Sequence, residues 1–283
     1  MADPFARSLA VVTGGGSGIG LAVARELAAR GSALVLAGRD GARLDRAARE
    51  LGERPGGPPV VAQSCDVTRA DDVVALVASA ERVAAESGRR IDLVVSNAGA
   101  VEVHGVLDAP VDEDGHDVYD RMLDVCFLGA VRVAEAFLPG LVARGRGLVV
   151  QTASAAALRA FDGIAAYSVA KHALLGWSRA AALELAPRGV GVAVLCPYYV
   201  RGEMLERASA ALAADAGLHI DAARALFASR NPGGALVEPE QIAGTTAELF
   251  ERALVESPGP GARVVVLDGG PARPPDPAID RTP

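Results

Sequence analysis

Short runs of apolar, often β-branched residues alternate along the chain with longer segments whose apolar residues recur every three or four positions. The short runs predict strands near 8–13, 33–37, 60–65, 91–96, 147–152, 190–196 and 262–267. The longer segments predict helices near 18–30, 41–51, 70–87, 116–143, 165–186 and 239–255. Because such alternation requires crossover connections, it predicts a doubly wound α/β fold with about seven parallel strands and helices on both faces.

The same pattern indicates one domain. With 283 residues, of which 51% are hydrophobic, the chain is long enough to bury one large core, and no internal repeat divides it. We therefore predict a single domain over residues 1–270. The last stretch, 271–283, contains five prolines, and this composition predicts a disordered tail.

Charge and cysteine content argue against several classes of function. The net charge of −7 and the lack of a basic tract speak against a nucleic-acid partner. No apolar run reaches membrane-spanning length without interruption and the first residues lack a signal-peptide core, so we expect a cytoplasmic protein without membrane contact. Cys65, Cys126 and Cys196 are widely spaced, which indicates neither a disulfide framework nor a metal site.

A glycine-rich turn joins the first predicted strand to the first predicted helix. Its sequence is Thr13-Gly14-Gly15-Gly16-Ser17-Gly18-Ile19-Gly20. Glycines let the backbone approach a pyrophosphate, and the N-terminus of the helix offers free N–H groups and a partial positive charge. The turn predicts a nucleotide site on a Rossmann-type fold, although its Gly-x-x-x-Gly-x-Gly spacing differs from the Gly-x-Gly-x-x-Gly of the standard dinucleotide motif.

A second motif, Tyr167-Ser168-Val169-Ala170-Lys171, lies in the fifth predicted helix. Residues four positions apart share one helix face, so the phenol and the ammonium can address one small volume. A free tyrosine titrates near 10, and a nearby positive charge favours its phenolate, so we expect Lys171 to lower the pKa of Tyr167. The pair predicts a proton donor or acceptor.

Together and in this order, the motifs resemble those of the short-chain dehydrogenase/reductase family. The resemblance covers about residues 8–270 and implies an NAD(P)-dependent oxidoreductase that acts on a carbonyl or alcohol group. The motifs that carry it are Thr-Gly-x-x-x-Gly-x-Gly at 13–20, Asn97-Ala98-Gly99, Ser154, Tyr167-x-x-x-Lys171 and Asp268-Gly269-Gly270.

The resemblance implies a role for each catalytic residue. Tyr167 would donate or accept the proton, Ser154 would hold the substrate oxygen, and Lys171 would bind the nicotinamide ribose and lower the tyrosine pKa. A carbonyl that receives hydride develops negative charge on its oxygen, and two hydroxyl donors can stabilise that charge. The implied reaction interconverts a ketone or aldehyde and an alcohol.

The resemblance also implies which residues line the cofactor. They come from the glycine turn, from the ends of four further strands and from the catalytic helix: Gly14, Ser17, Gly18, Ile19, Gly20, Arg39, Asp66, Val67, Asn97, Ala98, Gly99, Tyr167, Lys171, Pro197 and Val200. Asp66 and Val67 would lie against the adenine. Asp66 is equally consistent with a turn or capping acid before Thr68.

The end of the second strand bears on the choice between NAD and NADP. In a dinucleotide fold an acid at this position binds the ribose 2′-hydroxyl of NAD, whereas an arginine accommodates the 2′-phosphate of NADP. The chain has Gly38-Arg39-Asp40, with glycine at the position expected for the acid, which favours NADP(H) over NAD(H). The alternative is that Arg39 is a solvated loop cation and that Asp40 replaces the acid.

Three positions depart from the family pattern. Cys126 stands where the family usually has an Asn that supports a water link to the lysine, so we expect a packed thiol and an altered proton relay. Gly202 replaces the usual Thr that contacts the nicotinamide carboxamide. Tyr198 replaces the usual Gly, and it either shapes the substrate site or packs under the lid.

The resemblance further implies a substrate lid over about 202–234, where helices near 204–216 and 221–229 are predicted. Apolar residues of these helices, together with Tyr198, favour an apolar small-molecule carbonyl or alcohol as substrate. The family commonly forms oligomers, so we expect a homodimer or homotetramer built through the helices near 116–143 and 165–186.

Two other functions fit the same sequence. One is reduction of an imine or an activated alkene on the same scaffold. The other is a non-catalytic, NADP(H)-binding sensor or interaction protein, which Cys126 and Tyr198 suggest. Intact Ser154, Tyr167 and Lys171 argue against the sensor, because a binding protein has no need of all three.

Overall fold

A seven-stranded parallel sheet forms the centre of the protein, whose computed structural model describes residues 5–53, 56–107, 111–259 and 261–276. The strands lie in the order 3-2-1-4-5-6-7, and each neighbouring pair is parallel. They are β1 (Ser8–Thr13), β2 (Ala33–Gly38), β3 (Val60–Ser64), β4 (Arg90–Ser96), β5 (Gly147–Thr152), β6 (Val190–Pro197) and β7 (Arg263–Leu267). From β1 the chain adds β2 and β3 on one side of the sheet, and it then crosses over to add β4 to β7 on the other side. The change of side between β1 and β4 is the switch point at which ligands of such folds bind. The predicted doubly wound α/β fold is confirmed.

Helices cover both faces of the sheet. They are α1 (Gly18–Ala29), α2 (Gly41–Gly52), α3 (Ala70–Ser87), α4 (Val118–Leu123), α5 (Gly129–Arg144), α6 (Ala165–Leu185), α7 (Glu203–Ala216), α8 (Ile220–Ser229) and α9 (Pro239–Val255). The core on one face joins the sheet to α1, α2 and α9, and the core on the other face joins it to α3, α5 and α6. Adjacent strand residues such as Val11 and Val12 face opposite cores and are both fully buried. This double burial explains why the strands are continuous apolar runs.

The helix predicted over 116–143 is in fact divided. It begins at Val118, after a capping box formed by Asp117 and Asp120. A five-residue π turn, Asp124–Leu128, then separates α4 from α5. A π turn accommodates one extra residue per turn, and such turns frequently occur at functional sites. The prediction of one uninterrupted α-helix was wrong at this point.

The whole segment Val118–Arg144 is long and apolar enough to cross a membrane, with a mean hydropathy of 1.7 in its most apolar window. The core helix of a globular domain passes the same test. Here Val133, Phe137 and Leu141 lie in the core that this segment shares with the sheet. Length and composition alone are therefore only weak evidence of a membrane span.

The two helices that follow β6 are anchored at both ends. A parallel bridge pairs Val200 with Val237. The segment that contains both helices therefore begins and ends at the same place, next to the carboxyl end of β6. Asn231, only 2% exposed, accepts a hydrogen bond from Tyr199 N and donates to the carbonyl oxygens of Tyr199 and Ala235. The predicted helices at 204–216 and 221–229 are present as α7 and α8.

The segment after β7 folds back on that strand. Val266 and Arg273 form an antiparallel bridge, and the Arg273 side chain lies 2.8 Å from Asp268. The tail predicted to be disordered, 271–283, is thus described as far as residue 276. Residues 277–283 lie outside the described residues, and for them the prediction stays a prediction.

Candidate active site

The glycine turn lies at the carboxyl end of β1, where its backbone can approach a ligand closely. Gly14 and Gly18 have positive φ angles of 66° and 50°, which L side chains rarely adopt. A Cβ atom on Gly20 would overlap the carbonyl oxygen of Gly14. Ser17 precedes α1 but makes no side-chain capping hydrogen bond, so it leaves the N–H groups of the first turn available. This cradle fits the pyrophosphate of a dinucleotide.

Thr13 ties the glycine turn to the loop after β4. Its Oγ1 accepts hydrogen bonds from the backbone N of Asn97 at 2.9 Å and of Ala98 at 3.0 Å. Asn97 Nδ2 in turn donates to Thr13 O at 3.2 Å, and a Cβ atom on Gly14 would come within 2.9 Å of this nitrogen. Asn97 and Ala98 therefore form one floor with the glycine turn, as a cofactor site at the switch point requires.

At the end of β2, the two charged residues have different surroundings. Arg39 is exposed. Asp40 is the N-cap of α2, and its Oδ1 accepts a hydrogen bond from Arg43 N at 3.0 Å. Its other carboxylate oxygen lies 3.1 Å from Arg43 Nε. Asp40 is thus engaged by its own helix.

Asp66 and Val67 follow β3. Asp66 Oδ1 accepts hydrogen bonds from Thr68 N and Oγ1, the contacts of a turn acid. Burial pushes the pKa of Asp66 up, but the hydrogen bonds from Thr68 and the charge of Arg39 outweigh it, so the pKa lies below its ordinary value. Val67 O accepts a hydrogen bond from Arg132 Nη1 at 2.6 Å, which fixes this loop against α5.

The three predicted catalytic residues gather at the carboxyl ends of β5 and β6, beside the start of α6. Lys171 is 4% exposed, and its Nζ donates a hydrogen bond to Thr152 O at 2.8 Å. The same Nζ lies 5.5 Å from the centre of the Tyr167 ring. Ser154 caps the short 3-10 turn Ala155–Ala157, with its Oγ accepting a hydrogen bond from Ala156 N. The structure therefore brings the two hydroxyls and the ammonium together.

The ionisation of Tyr167 differs from the sequence-based expectation. Burial raises its pKa above the ordinary value, whereas the charge of Lys171 and a hydrogen bond with Ser154 lower it. Burial outweighs the other two, so the net direction is upward. Lys171 acts as expected, but its effect is smaller than that of desolvation. The phenol is therefore held in its protonated form at neutral pH.

Cys126 lies at the centre of the π turn and is fully buried. Its Sγ accepts a hydrogen bond from Ala100 N at 3.4 Å and donates one to Ala100 O at 3.2 Å. A Cβ atom on Gly99 would lie 3.7 Å from Cys126 Sγ and 3.8 Å from Lys171 Nζ. The thiol is thus packed, as predicted, and it also holds the loop that faces Lys171.

The segment after β6 lies next to this group. Pro197 is the last residue of β6, and Tyr198, 7% exposed, donates its backbone N–H to Leu267 O. Tyr198 belongs to a buried cluster with Ala155 and Ala157, which follow Ser154. Of the two alternatives for Tyr198, packing is the one the structure supports. Gly202 is the residue immediately before α7.

Several residues of this region escaped the sequence-based prediction. No local sequence motif predicts the hydrogen bonds of Asn231 with Tyr199 and Ala235, or the hydrogen bond that the carbonyl of Thr152 accepts from Lys171. His104 is 6% exposed, its Nε2 accepts a hydrogen bond from Ala166 N, and its ring lies 5.7 Å from that of Tyr119. The contacts of Thr13 could have been expected, because Thr13 is the first residue of the glycine-turn motif. Within the described ranges, no three His, Cys, Asp or Glu side chains form a group that could hold a metal ion.

The cradle at the switch point and the acid–base group beside it define a dinucleotide-dependent oxidoreductase. Comparison with known proteins agrees, because residues 8–213 match the short chain dehydrogenase family. The chain is a member of the short-chain dehydrogenase/reductase family and hence an NAD(P)-dependent oxidoreductase.

Two relatives and one solved structure illustrate the similarity. The rabbit (Oryctolagus cuniculus) dehydrogenase/reductase SDR family member 4 is 34% identical over 96% of each chain. The cis-4-hydroxycyclohexanecarboxylate dehydrogenase of Sinomonas cyclohexanicum is 34% identical over 95% of this chain and 98% of its own. L-sorbose reductase from Gluconobacter frateurii, solved with NADPH and L-sorbose, has a TM-score of 0.80 and 30% identity, and the match covers 93% of this chain and 95% of that one.

Proposed function

We propose that this protein interconverts a ketone or aldehyde and the corresponding alcohol, with NADP(H) as its cofactor and Ser154, Tyr167 and Lys171 as its catalytic residues. The observation that carries the proposal is the convergence of these three side chains, with Lys171 Nζ 5.5 Å from the Tyr167 ring, beside the glycine turn. The cofactor, when bound, supplies or accepts the hydride.

Each side chain has a distinct task in the proposed reduction. Tyr167 holds a proton at its phenol oxygen and transfers it to the substrate oxygen. Ser154 donates a second hydrogen bond to that oxygen as negative charge develops on it. Lys171 keeps its position through Thr152 O, stabilises the phenolate that proton transfer leaves behind, and faces the proposed ribose site. In the oxidative direction Tyr167 accepts the proton.

The surroundings of β2 support NADP(H) over NAD(H). Asp40, the acid that could have replaced the missing ribose ligand, already caps α2 and contacts Arg43. Arg39 is exposed at the same strand end and free to meet a 2′-phosphate. Gly14, Ser17, Gly18, Ile19 and Gly20 are proposed to hold the pyrophosphate, with Asp66, Val67, Asn97, Ala98, Gly99, Pro197 and Val200 along the rest of the cofactor.

An apolar or partly apolar substrate is proposed, covered by the lid over about 202–234. Leu205 and Phe227, on α7 and α8, lie in one buried cluster against which Tyr199 packs. The relative from Sinomonas acts, by its name, on a hydroxylated ring compound. A lid with such an apolar core would suit a substrate that contains a ring or a short carbon chain.

The decisive assay follows cofactor absorbance while the protein is mixed with NADPH or NADH and a panel of ketones. Consumption of NADPH with at least one ketone, and weaker use of NADH, is the expected result. A protein that binds NADPH but oxidises it with no carbonyl compound would refute the enzymatic proposal. Reversal of the preference would refute only the role of Arg39.

We also propose a homodimer or homotetramer in a cytoplasmic setting. Three exposed apolar side chains support the oligomer: Leu128 in the π turn, and Val169 and Leu183 on α6. If these side chains belong to one contiguous apolar surface, that surface would suit contact with a second subunit. The proposed interface would join α5 and α6 of neighbouring copies.

A further inference from the structure

The loop between Ser154 and α6 carries an arginine, Arg159, for which the described part of the chain offers no ionic partner. Arg159 forms no ion pair and no side-chain hydrogen bond within 5–53, 56–107, 111–259 and 261–276. Its Nε is shielded from solvent and still lacks a hydrogen-bond acceptor there. Buried donors in native proteins are nearly always paired, so an unpaired one needs an explanation. A ligand that brings an acceptor supplies one.

The position of Arg159 follows from its backbone. Its N–H donates to Ala155 O at 3.1 Å, in continuation of the 3-10 turn that Ser154 caps. The guanidinium carbon lies 5.3 Å from the centre of the Phe161 ring. This cation–π contact holds the planar guanidinium in place but satisfies none of its in-plane donors. Arg159 is therefore a preoriented cation about one turn beyond the proposed catalytic serine.

Phe161 is part of an aromatic wall that adjoins the proposed substrate site. Its ring centre lies 6.1 Å from that of Tyr198 and 6.2 Å from that of Tyr199, and Tyr199 lies 4.9 Å from Phe227. These rings come from the loop after β5, the segment after β6 and helix α8, which all lie at the carboxyl edge of the sheet. Substrates of doubly wound folds bind at that edge.

We propose that Arg159 binds a carboxylate of the substrate, while the wall of Phe161 and Tyr199 packs against the carbon skeleton between carboxylate and carbonyl. The substrate class is then a keto acid or hydroxy acid with a ring or a comparable apolar spacer. Guanidinium and carboxylate match in geometry, and two parallel hydrogen bonds can form between them. This inference rests on the proposed function, which it narrows from apolar carbonyl compounds to anionic ones with an apolar body.

A second arginine offers a matched control. Arg230 lies over the ring of Phe227, 5.6 Å from its centre, so it has the same kind of aromatic contact as Arg159. Its side chain is exposed at the end of α8, where water can solvate it. The inference assigns the carboxylate to Arg159 and no role to Arg230.

The first test compares two ketones of equal shape, 4-acetylbenzoate and its neutral counterpart 4-acetylbenzamide. Wild-type protein is expected to prefer the acid in kcat/KM by about tenfold or more, the range of a charge-assisted hydrogen bond. Arg159→Gln should remove that preference and leave the amide within about threefold, while Arg159→Lys should restore part of it. Arg230→Gln should change neither the preference for the acid nor kcat/KM for the amide. Equal loss for both ketones, or loss with Arg230→Gln alone, overturns the proposal.

The second test does not depend on turnover. Titration calorimetry of the NADP⁺-loaded protein measures the affinity for benzoate and for benzamide, and the Arg159→Gln variant tests whether Arg159 is the binding site. Thermal unfolding of each protein is the control for folding. Benzoate should bind about tenfold more tightly than benzamide to wild type and no more tightly to Arg159→Gln. Equal binding of benzoate to both proteins refutes the carboxylate site. Failure of every ketone with normal benzoate discrimination refutes the proposed reaction instead.

Discussion

Arg43 and Glu203 connect the wall of the proposed cofactor cleft to the first turn of α7. Arg43 Nη1 lies 3.0 Å from one carboxylate oxygen of Glu203 and 2.9 Å from the other. Arg43 also packs beside Gly16, because a Cβ atom on that glycine would lie 3.3 Å from Arg43 Cβ. The guanidinium thus stands between the glycine turn and α7, the first helix of the proposed lid. A 2′-phosphate bound at Arg39 would compete with Glu203 for it.

Glu203→Gln is therefore expected to strengthen NADPH binding and leave NADH binding unchanged. The gain should be modest, up to about fivefold in the dissociation constant at low salt, because both side chains are exposed. Added salt should shrink it. Fluorescence titration of the reduced cofactors measures the effect. Glu206→Gln, which breaks the ion pair between Glu206 on α7 and Arg224 on α8, is the control. An equal change for NADH would contradict the competition.

Tyr167→Phe should lower kcat for ketone reduction by about a hundredfold or more, because it removes the proposed proton donor. NADPH affinity should stay the same, since the ring and Lys171 remain. Tyr119→Phe is a matched control, because it removes the hydroxyl of a tyrosine that has no proposed catalytic role and whose ring packs against His104. Rapid reduction by the Tyr167 variant would rule out the mechanism.

The pH dependence of the two directions should be opposite. Reduction requires protonated Tyr167, so its rate should stay constant below the raised pKa and fall as pH rises through that pKa. Oxidation requires the phenolate and should rise over the same range. Because Lys171 lowers the pKa of Tyr167, Lys171→Met should move the midpoint of the oxidation profile to higher pH. Profiles of kcat/KM against pH test this, and a shift to lower pH would exclude the assigned coupling.

Cys126→Ala should destabilise the fold by about 1–3 kcal/mol, because it leaves the N–H and C=O of Ala100 without the thiol. Cys126→Ser, which keeps a donor and an acceptor, should lose less. Urea unfolding of the two variants measures the difference. Equal stability of Cys126→Ala and wild type would show that the contacts with Ala100 contribute nothing.

Oligomer formation through α5 and α6 predicts that Leu183→Glu reduces the mass in solution. Light scattering of the wild type should give a multiple of 28.8 kDa, and the variant should move toward that value. Val255→Glu is the control, because Val255 is also exposed but ends α9 on the other face of the sheet. A wild-type mass of 28.8 kDa would disprove the oligomer.

The strands could be located from the sequence within one or two residues, since continuous apolar runs such as Leu93-Val94-Val95 fit strands that are covered on both faces. The glycine turn and the Tyr167 motif could be identified from the sequence, because each depends on residues at a short, fixed spacing. The π turn was not, because the contact between Cys126 and Ala100 that accompanies it joins residues 26 positions apart.

Other features depend on burial, which spacing cannot show. Lys171 was expected to set the pKa of Tyr167, yet desolvation outweighs it. Asn231 looks like an ordinary loop residue and becomes an anchor only when Tyr199 and Ala235 surround it. Arg159 likewise carries no signal in the sequence, because the lack of an acceptor for its Nε among the described residues is a property of the folded chain.

The hydrogen bonds between Thr13 and the Asn97–Ala98 backbone have a thermodynamic consequence. They join two loops from different strands into one surface whose backbone is fixed by hydrogen bonds within the protein. A surface held in this way has less backbone entropy to lose when a dinucleotide binds to it. Thr13→Val would remove the hydroxyl that accepts two of these hydrogen bonds, so the variant would lose more backbone entropy each time it binds a dinucleotide.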